Sequence, residues 1–428
     1  MLGSAAQNVI ALTDSVFLYH LSETDFAAIG FVSVFYMMIA AIGYGFSKGG
    51  QIIIARRYGQ LKYDRISAAS AAMVSFELIL AFVMFLIMQF GTPYIFASLL
   101  DSQELYDKSL EYIWPRSWGV FFSYLGVSIV ALYTGVARTT FIIIDTVILA
   151  VANIILNYGL IFGALGMPQM GIAGAGYASF LAEALAFIVF VAYMFFDPMI
   201  KKIDLFRVPD IEMKPIRMMV RLSSPIVAQS IVGIGSWFIF FGLVENLGER
   251  ALAITNMARI IYLVLCIPSW GFSAGINTLV SNALGASAPD DVWLVTRKTM
   301  IICVVSTMVI SIPVLVFPKV FLYPLLGSED MSLMVDAQPI FYILIIILFL
   351  FSIGVILLNA LTGAGKTLQA LKLQFYATVI YLGYTFFVIK HTDLGLEWAW
   401  ISEVLYWIII IVITGYFFYG DRWKRLKG

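Results

Sequence analysis

Four residues far apart in the chain have the types that a cation centre needs: Asp14, Asn153, Asn157 and Ser179. Asp14 lies five residues before Tyr19, near the outer end of the apolar run 2–19. Asn153 and Asn157 are four apart, so their amides share one helical face. Asn157 lies six residues from the outer end of the run 141–163, and Ser179 lies eight residues into the run 171–196, which starts at the outer side. At about 1.5 Å per residue these groups come to similar depth, roughly 8–15 Å below the outer boundary. A carboxylate, two amide carbonyls and a hydroxyl form an all-oxygen shell for a hard cation such as Na⁺, or a proton site with hydrogen-bonded support. Asn and Ser also tie membrane helices together by hydrogen bonds. The carboxylate favours chemistry, because an ionisable group among apolar helices is costly and marks an ion or substrate path.

The other ionisable residues inside apolar runs are Glu77, Asp145, Glu183, Arg259 and Glu403. Glu183 is four residues past Ser179 on the same face, so it extends the network inward. Glu77 is in the middle of its run with no identifiable partner. Arg259 and Glu403 both lie about two turns from the outer side in the second half, where a buried ion pair is expected. Asp145 is about one turn from the cytoplasmic boundary, where snorkelling accounts for it.

Other chemistries find no support. The chain has no His-Glu-x-x-His helix or paired Asp motif inside its runs, so an intramembrane enzyme is not expected. Gly365-Lys366-Thr367 ends like a phosphate-binding loop, but Ala360 stands where that loop needs glycine. His20 and His391 do not suggest a histidine-ligated metal, and Cys266 and Cys303 fall inside apolar runs. No cofactor is implied beyond a coupling ion. The net charge of zero and the lack of a basic cluster give no nucleic-acid partner.

The positioning elements must be membrane helices. Hydrophobic residues make up 61% of the 428, charged residues only 12%, and mean hydropathy is +0.95. Soluble domains carry roughly 25% charged residues. Apolar runs near 2–19, 26–47, 67–90, 117–134, 141–163, 171–196, 223–244, 251–272, 297–317, 339–361, 368–389 and 397–418 give twelve transmembrane helices. No period-2 alternation recurs, which excludes a barrel. The first run is barely long enough to span and lacks the features of a signal peptide, so the chain is expected to begin inside its first helix.

The chain is also one unit written twice. Gly45-Phe46-Ser47-Lys48-Gly49 with Gly59 returns as Gly271-Phe272-Ser273-Ala274-Gly275 with Gly285, an offset of 226. Thr134-Gly135 to Thr139 returns as Thr362-Gly363 to Thr367, an offset of 228. Gly3 corresponds to Pro225 in this alignment, which makes Ser236, Tyr381 and Thr385 the counterparts of Asp14, Asn153 and Asn157. No carboxylate or amide survives at those three positions, so ion chemistry belongs to the first half.

Connections after the even-numbered helices hold 19 Lys and Arg, among them Arg56, Arg57, Arg138, Arg207 and the tail Arg422 to Lys427. The opposite set holds five: Lys108, Arg116, Arg250, Lys319 and Lys390. This bias places both termini in the cytoplasm. The expected domains are a six-helix bundle at 1–196, a polar cytoplasmic linker at 197–221 and a second bundle at 222–428. Six helices is an even number, so the bundles share orientation and are related by a pseudo-two-fold axis along the membrane normal.

Several stretches together resemble the multidrug and toxic compound extrusion (MATE) transporters. They are the run Gln7 to Asp14, Ala27-Ala28, Gly45-Phe46-Ser47 leading to Arg56, Arg57 and Gly59, the Asn153 to Tyr158 helix, and Gly171-Ile-Ala-Gly174-Ala-Gly176. The resemblance covers the whole chain and its duplication. It implies a V-shaped pair of six-helix bundles that exports cationic or amphipathic drugs by antiport with Na⁺ or H⁺. It also implies that Asp14, Asn153, Asn157 and Ser179 match the family's cation site. The chain departs from some members in having Ile161 where a further Asp can stand. It also has Gly233 and Ser352 where others carry acids, which disfavours a second-bundle ion site.

A monomer in the inner (plasma) membrane is expected, with small-molecule substrates and lipids as its partners. The alternative is a flippase for lipid-linked oligosaccharide or other lipid-like cargo. Pyrophosphate-linked cargo calls for Arg and Lys facing the cleft, and only Arg259 is deep in a run. Walls rich in Phe, Tyr and Met (34, 22 and 18 in the chain) suit apolar cations instead.

Overall fold

The computed structural model describes residues 10, 13–14, 16–18, 20–205, 213–318 and 331–418, and every element it assigns there is helical. The chain divides into two compact units, Leu2–Ser224 and Pro225–Gly428. In the first unit, residues 10, 13, 14 and 16–18 are helical. They precede α1 (Glu23–Gly59), α2 (Tyr63–Leu86), α3 (Thr92–Ala97), α4 (Gln103–Ser117), α5 (Gly119–Gly135), α6 (Thr140–Phe162), α7 (Gly171–Phe196) and α8 (Pro198–Lys202). The helix α9 (Met213–Val244) runs from the first unit into the second. The second unit continues with α10 (Glu249–Leu265), α11 (Ile267–Gly285), α12 (Asp291–Val316), α13 (Met331–Asp336), α14 (Gln338–Gly363), α15 (Thr367–His391) and α16 (Leu396–Phe418).

Among the described residues nine helical segments are long and apolar enough to cross a membrane, and two bent pairs bring the number to eleven. The twelfth expected span, 2–19, lies largely outside the described residues, as do Arg207, Lys319 and the basic tail. The expected linker is not a plain connection. Residues 198–202 are helical, and 213–221 form the first turns of α9.

The bends sit in different helices of the two units. In the first, α4 and α5 meet at 49°, with Pro115 inside the last turn of α4. In the second, α10 and α11 meet at 46°, with Pro268 in the first turn of α11. Proline removes one helical hydrogen bond and crowds the preceding turn, which permits such a bend. By the repeat offsets Pro115 corresponds to Ile343, and Pro268 to Ile42. Those residues lie in α14 and α1, which are unbroken.

The duplication is nevertheless built into the packing. A Cβ on Gly135 would stand 3.2 Å from the Gln51 carbonyl oxygen, and one on Gly363 would stand 2.5 Å from that of Asn277. Gln51 and Asn277 are 226 apart and the glycines 228 apart, so the two sequence offsets meet in one helix contact made twice. A second contact behaves alike. Gly43 faces the ring of Tyr124, and at the equivalent positions Ser269 Oγ lies 3.1 Å from Ser352 Oγ.

The cores differ. The first unit has one apolar cluster around Leu18, Ile29, Phe96 and Ile113. Another surrounds Ile54, Met73, Tyr133 and Phe190 towards its basic end, with a small group of Ile10, Leu149, Ala152, Ala182 and Ala186 besides. The second unit has one continuous cluster running from Phe240 through Tyr262, Leu348 and Trp400 to Phe418.

Candidate functional site

The expected centre forms in the first unit. Asp14, Asn153, Asn157 and Ser179 are all fully buried. Residue 14 comes from the first helical stretch described, the two Asn from one face of α6, and Ser179 from the third turn of α7. Close approach of α6 and α7 depends on Gly174, whose added Cβ would stand 2.5 Å from the Leu160 carbonyl oxygen.

Asp14 accepts hydrogen bonds on both carboxylate oxygens. Oδ1 takes one from Asn157 Nδ2 at 2.7 Å and a long one from Asn153 Nδ2 at 3.4 Å. Oδ2 takes one from Ser179 Oγ at 2.7 Å and one from Tyr112 Oη at 2.7 Å. The amides are linked in turn: Asn153 Nδ2 donates to Ser179 Oγ at 3.1 Å, and Asn157 Nδ2 to Asn153 Oδ1 at 3.2 Å. Asn157 Oδ1 is buried without a hydrogen-bond partner among the described residues. Burying a carboxylate needs compensation, and charge-assisted hydrogen bonds supply it here. An amide carries donors on one side and an acceptor on the other, and which atom faces Asp14 is set by the hydrogen-bond network. Rotating either Asn amide by half a turn would present a carbonyl oxygen beside the carboxylate.

Tyr112 was not expected, and neither was the role of Arg116. The span expected at 117–134 begins earlier, because α4 forms its first limb and carries Tyr112 and Arg116 on one face, four residues apart. Arg116 is therefore a buried residue of the bundle and not a connection charge. Its guanidinium donates from Nη1 to Glu183 Oε2 at 2.6 Å and from Nη2 to Oε1 at 2.8 Å. The face of the Tyr36 ring lies 3.9 Å from its centre. Glu183 thus does sit one turn from Ser179, but it is held as the partner of Arg116. A Cβ on Gly119 would collide with Arg116 Nη1 and Glu183 Oε2, so glycine there makes room for the pair.

The remaining candidates do not join the centre's hydrogen bonds. Glu77 has a partner after all: Ser47 Oγ, in the first glycine-punctuated stretch, donates to its Oε1 at 2.8 Å. Its Oε2 has no partner among the described residues. Arg259 and Glu403 form no ion pair among the described residues. Arg259 Nη2 donates to Asn256 Oδ1 at 2.9 Å and its guanidinium stands 5.5 Å from the Phe241 ring centre, while Glu403 is buried.

The second unit has aromatic rings at the corresponding place. Phe240 stacks on Tyr381 at 5.9 Å and meets Trp400 edge-on at 5.7 Å. Phe240 is 226 residues after Asp14, so the ring beside the Asn153 counterpart lies one turn beyond the expected Ser236. Ser236 itself bonds within its own turn, to the Gly233 carbonyl. Phe240, four residues beyond Ser236, is thus the residue that packs on the Asn153 counterpart.

A family model described as MatE matches residues 1–159 and 225–387. A probable multidrug resistance protein NorM of Thermotoga maritima is 24% identical over 430 residues, covering 98% of this chain and 90% of that protein. A probable multidrug resistance protein YoeA of Bacillus subtilis is 22% identical, covering 93% of this chain and 86% of that one. Among solved structures, an outward-facing multidrug resistance MATE family transporter of the MOP superfamily superposes with a TM-score of 0.90 at 19% identity, over 100% of this chain and 94% of the other. A MOP superfamily transporter from Pyrococcus furiosus, whose binding pocket is described as of reverse polarity, gives 0.87 at 20% identity, over 100% and 94%.

Proposed function

The chain belongs to the MATE family of multi-pass membrane transporters, and from that premise we propose that it exports cationic or amphipathic drugs in exchange for Na⁺ or H⁺ bound at Asp14. The drug-resistance names of its relatives support the cargo class. The observation that carries the coupling reading is the fully buried Asp14 carboxylate with four hydrogen-bond donors from three other helices. The neighbouring Arg116 is committed to Glu183, which leaves Asp14 as the charge of the centre.

The exchange follows from the chemistry of these groups. Without a cation, the amides, the Ser179 hydroxyl and the Tyr112 hydroxyl donate to the carboxylate. With a monovalent cation, the same Asn and Ser side chains turn their oxygens inward and become ligands. A proton would instead convert Asp14 from acceptor to donor. Either ion changes which hydrogen bonds hold the first helical stretch to α4, α6 and α7. An ion drives a conformational change only through its differential affinity for two states, and this rearrangement supplies one. The second unit has aromatic packing at that place, with the buried Glu403 beside Tyr381 and no amide pair to serve it.

The reading places the protein in the inner membrane with its basic connections in the cytoplasm. The test is dye efflux from proteoliposomes under separately imposed Na⁺ and H⁺ gradients. Efflux driven by at least one gradient is expected, and efflux indifferent to both would remove the coupling reading.

A further inference from the structure

Asp145, about one turn from the boundary of its run, lies on a cavity. A partly open cavity of about 60 Å³ lies among α5, α6 and α7 of the first unit, and Ser123, Asp145, Thr146, Glu183, Ala186 and Phe190 are among its walls. Asp145 is five residues into α6, about 8 Å from the basic end of that helix at 1.5 Å per residue. Glu183 is 13 residues from the end of α7, and Asn153 is 13 residues into α6, so both lie about 20 Å in by the same measure. The acidic walls of the cavity therefore lie at depths between the basic end and the Asp14 centre. Its inner wall at Glu183 is one helical turn from Ser179, which donates to Asp14.

The walls are largely apolar, and Ser123, Asp145, Thr146 and Glu183 supply their polar groups. A water needs roughly 10–15 Å³ of such space and two to four polar partners. By volume the cavity has room for a few waters beside these groups. Arg116 neutralises Glu183 through both carboxylate oxygens, so the acid that sets the sign of the cavity is Asp145. Asp145 Oδ1 is buried with no hydrogen-bond partner among the described residues. An acid lining a narrow space between low-dielectric walls concentrates cations there and repels anions.

We propose that this cavity is a hydrated passage through the first bundle, by which the coupling cation moves between the basic end and Asp14, with Asp145 as its selecting charge. This rests on the reading of Asp14 as the coupling site. It adds a route inside one bundle, and it makes Asp145 a residue that governs ion access without holding the ion at rest.

The probe is Ag⁺, a small monovalent cation that reacts with thiols. Thr146→Cys and, separately, Ala186→Cys are made in the full chain with Cys266→Ser and Cys303→Ser, and reconstituted in one orientation. Ag⁺ is added to either side, and the surviving thiol is counted after denaturation. Ala81→Cys, at a fully buried apolar position, reports on dry packing. Both cavity thiols are expected to be consumed from the basic-end side about tenfold or more faster than from the other side, and Asp145→Asn is expected to slow them about tenfold, the low end of electrostatic focusing.

Thiols as inert as that at position 81, reaction only from the opposite side, or rates indifferent to Asp145→Asn would each overturn the passage. Accessibility is read without transport. An open passage in a protein whose efflux ignores ion gradients would remove the coupling reading alone. A closed cavity in an ion-driven exporter would remove only the passage.

Discussion

Arg116 and Glu183 form a buried two-point ion pair between α4 and α7, with N–O distances of 2.6 and 2.8 Å and relative exposures of 1% and 3% for the two side chains. Such a pair is costly to desolvate but costlier to break. Removing one partner strands a charge and costs about 3–5 kcal/mol, whereas replacing both by apolar groups is often close to neutral. Arg116→Met and Glu183→Leu should each lower thermal stability strongly, and the double variant should regain most of the loss. The measurement is a double-mutant cycle of unfolding temperatures in detergent. Losses that simply add would show that the two side chains are not coupled.

The glycines that let helices touch give a second expectation. Gly363→Ala puts a Cβ 2.5 Å from the Asn277 carbonyl oxygen, a backbone atom with no freedom to move aside. Overpacking of this kind costs about 1–3 kcal/mol. Gly235→Ala meets nothing within 4 Å, and in a helix interior alanine gains up to about 1 kcal/mol over glycine. The two variants should therefore shift melting in opposite directions, as fluorescence-detected thermal scans can show.

What could be read from the sequence follows the same physics. Asn153 and Asn157 were legible because four-residue spacing inside an apolar run fixes one face, and Asp14 and Ser179 because depth can be counted along a helix. Tyr112 and Arg116 were hidden by their neighbours. Glu104, Asp107, Lys108 and Glu111 make α4 read as a polar connection, although Ser109, Tyr112, Ile113 and Arg116 mark a buried face at helical spacing. That periodicity was the signal available. The partner of Glu77 was out of reach, since Ser47 is 30 residues away and only the packing of α1 on α2 brings it close. The Pro115 and Pro268 bends were visible as prolines, but their consequence for α4 needed the tertiary structure.

The repeat makes a comparison between paired positions possible. Asn153→Leu removes a donor to Asp14 and to Ser179. Tyr381→Leu, at the equivalent position, removes a ring stacked on Phe240. The first should abolish most ion-driven dye efflux with modest loss of stability. The second should lower the melting temperature while leaving the dependence on the ion gradient in place. Gradient-driven transport normalised to folded protein separates them, and equal loss of coupling in both would count against a centre confined to the first unit.

Asp14→Asn tests the centre most directly. The amide is close in size to the carboxylate and keeps one acceptor oxygen for Tyr112, Ser179 or Asn157, so packing of the first helical stretch against α4, α6 and α7 should survive. The charge does not survive. A neutral side chain offers a cation little beyond one carbonyl dipole, and it cannot exchange a proton. The difference in ion affinity between two conformations then nearly vanishes, and with it the driving force the ion supplies. The variant should fold, bind dye about as the parent does, and show no gradient-driven efflux. Dye binding and transport measured on the same purified sample decide the matter, because parental transport rates with Asn at position 14 would move the coupling site away from this carboxylate.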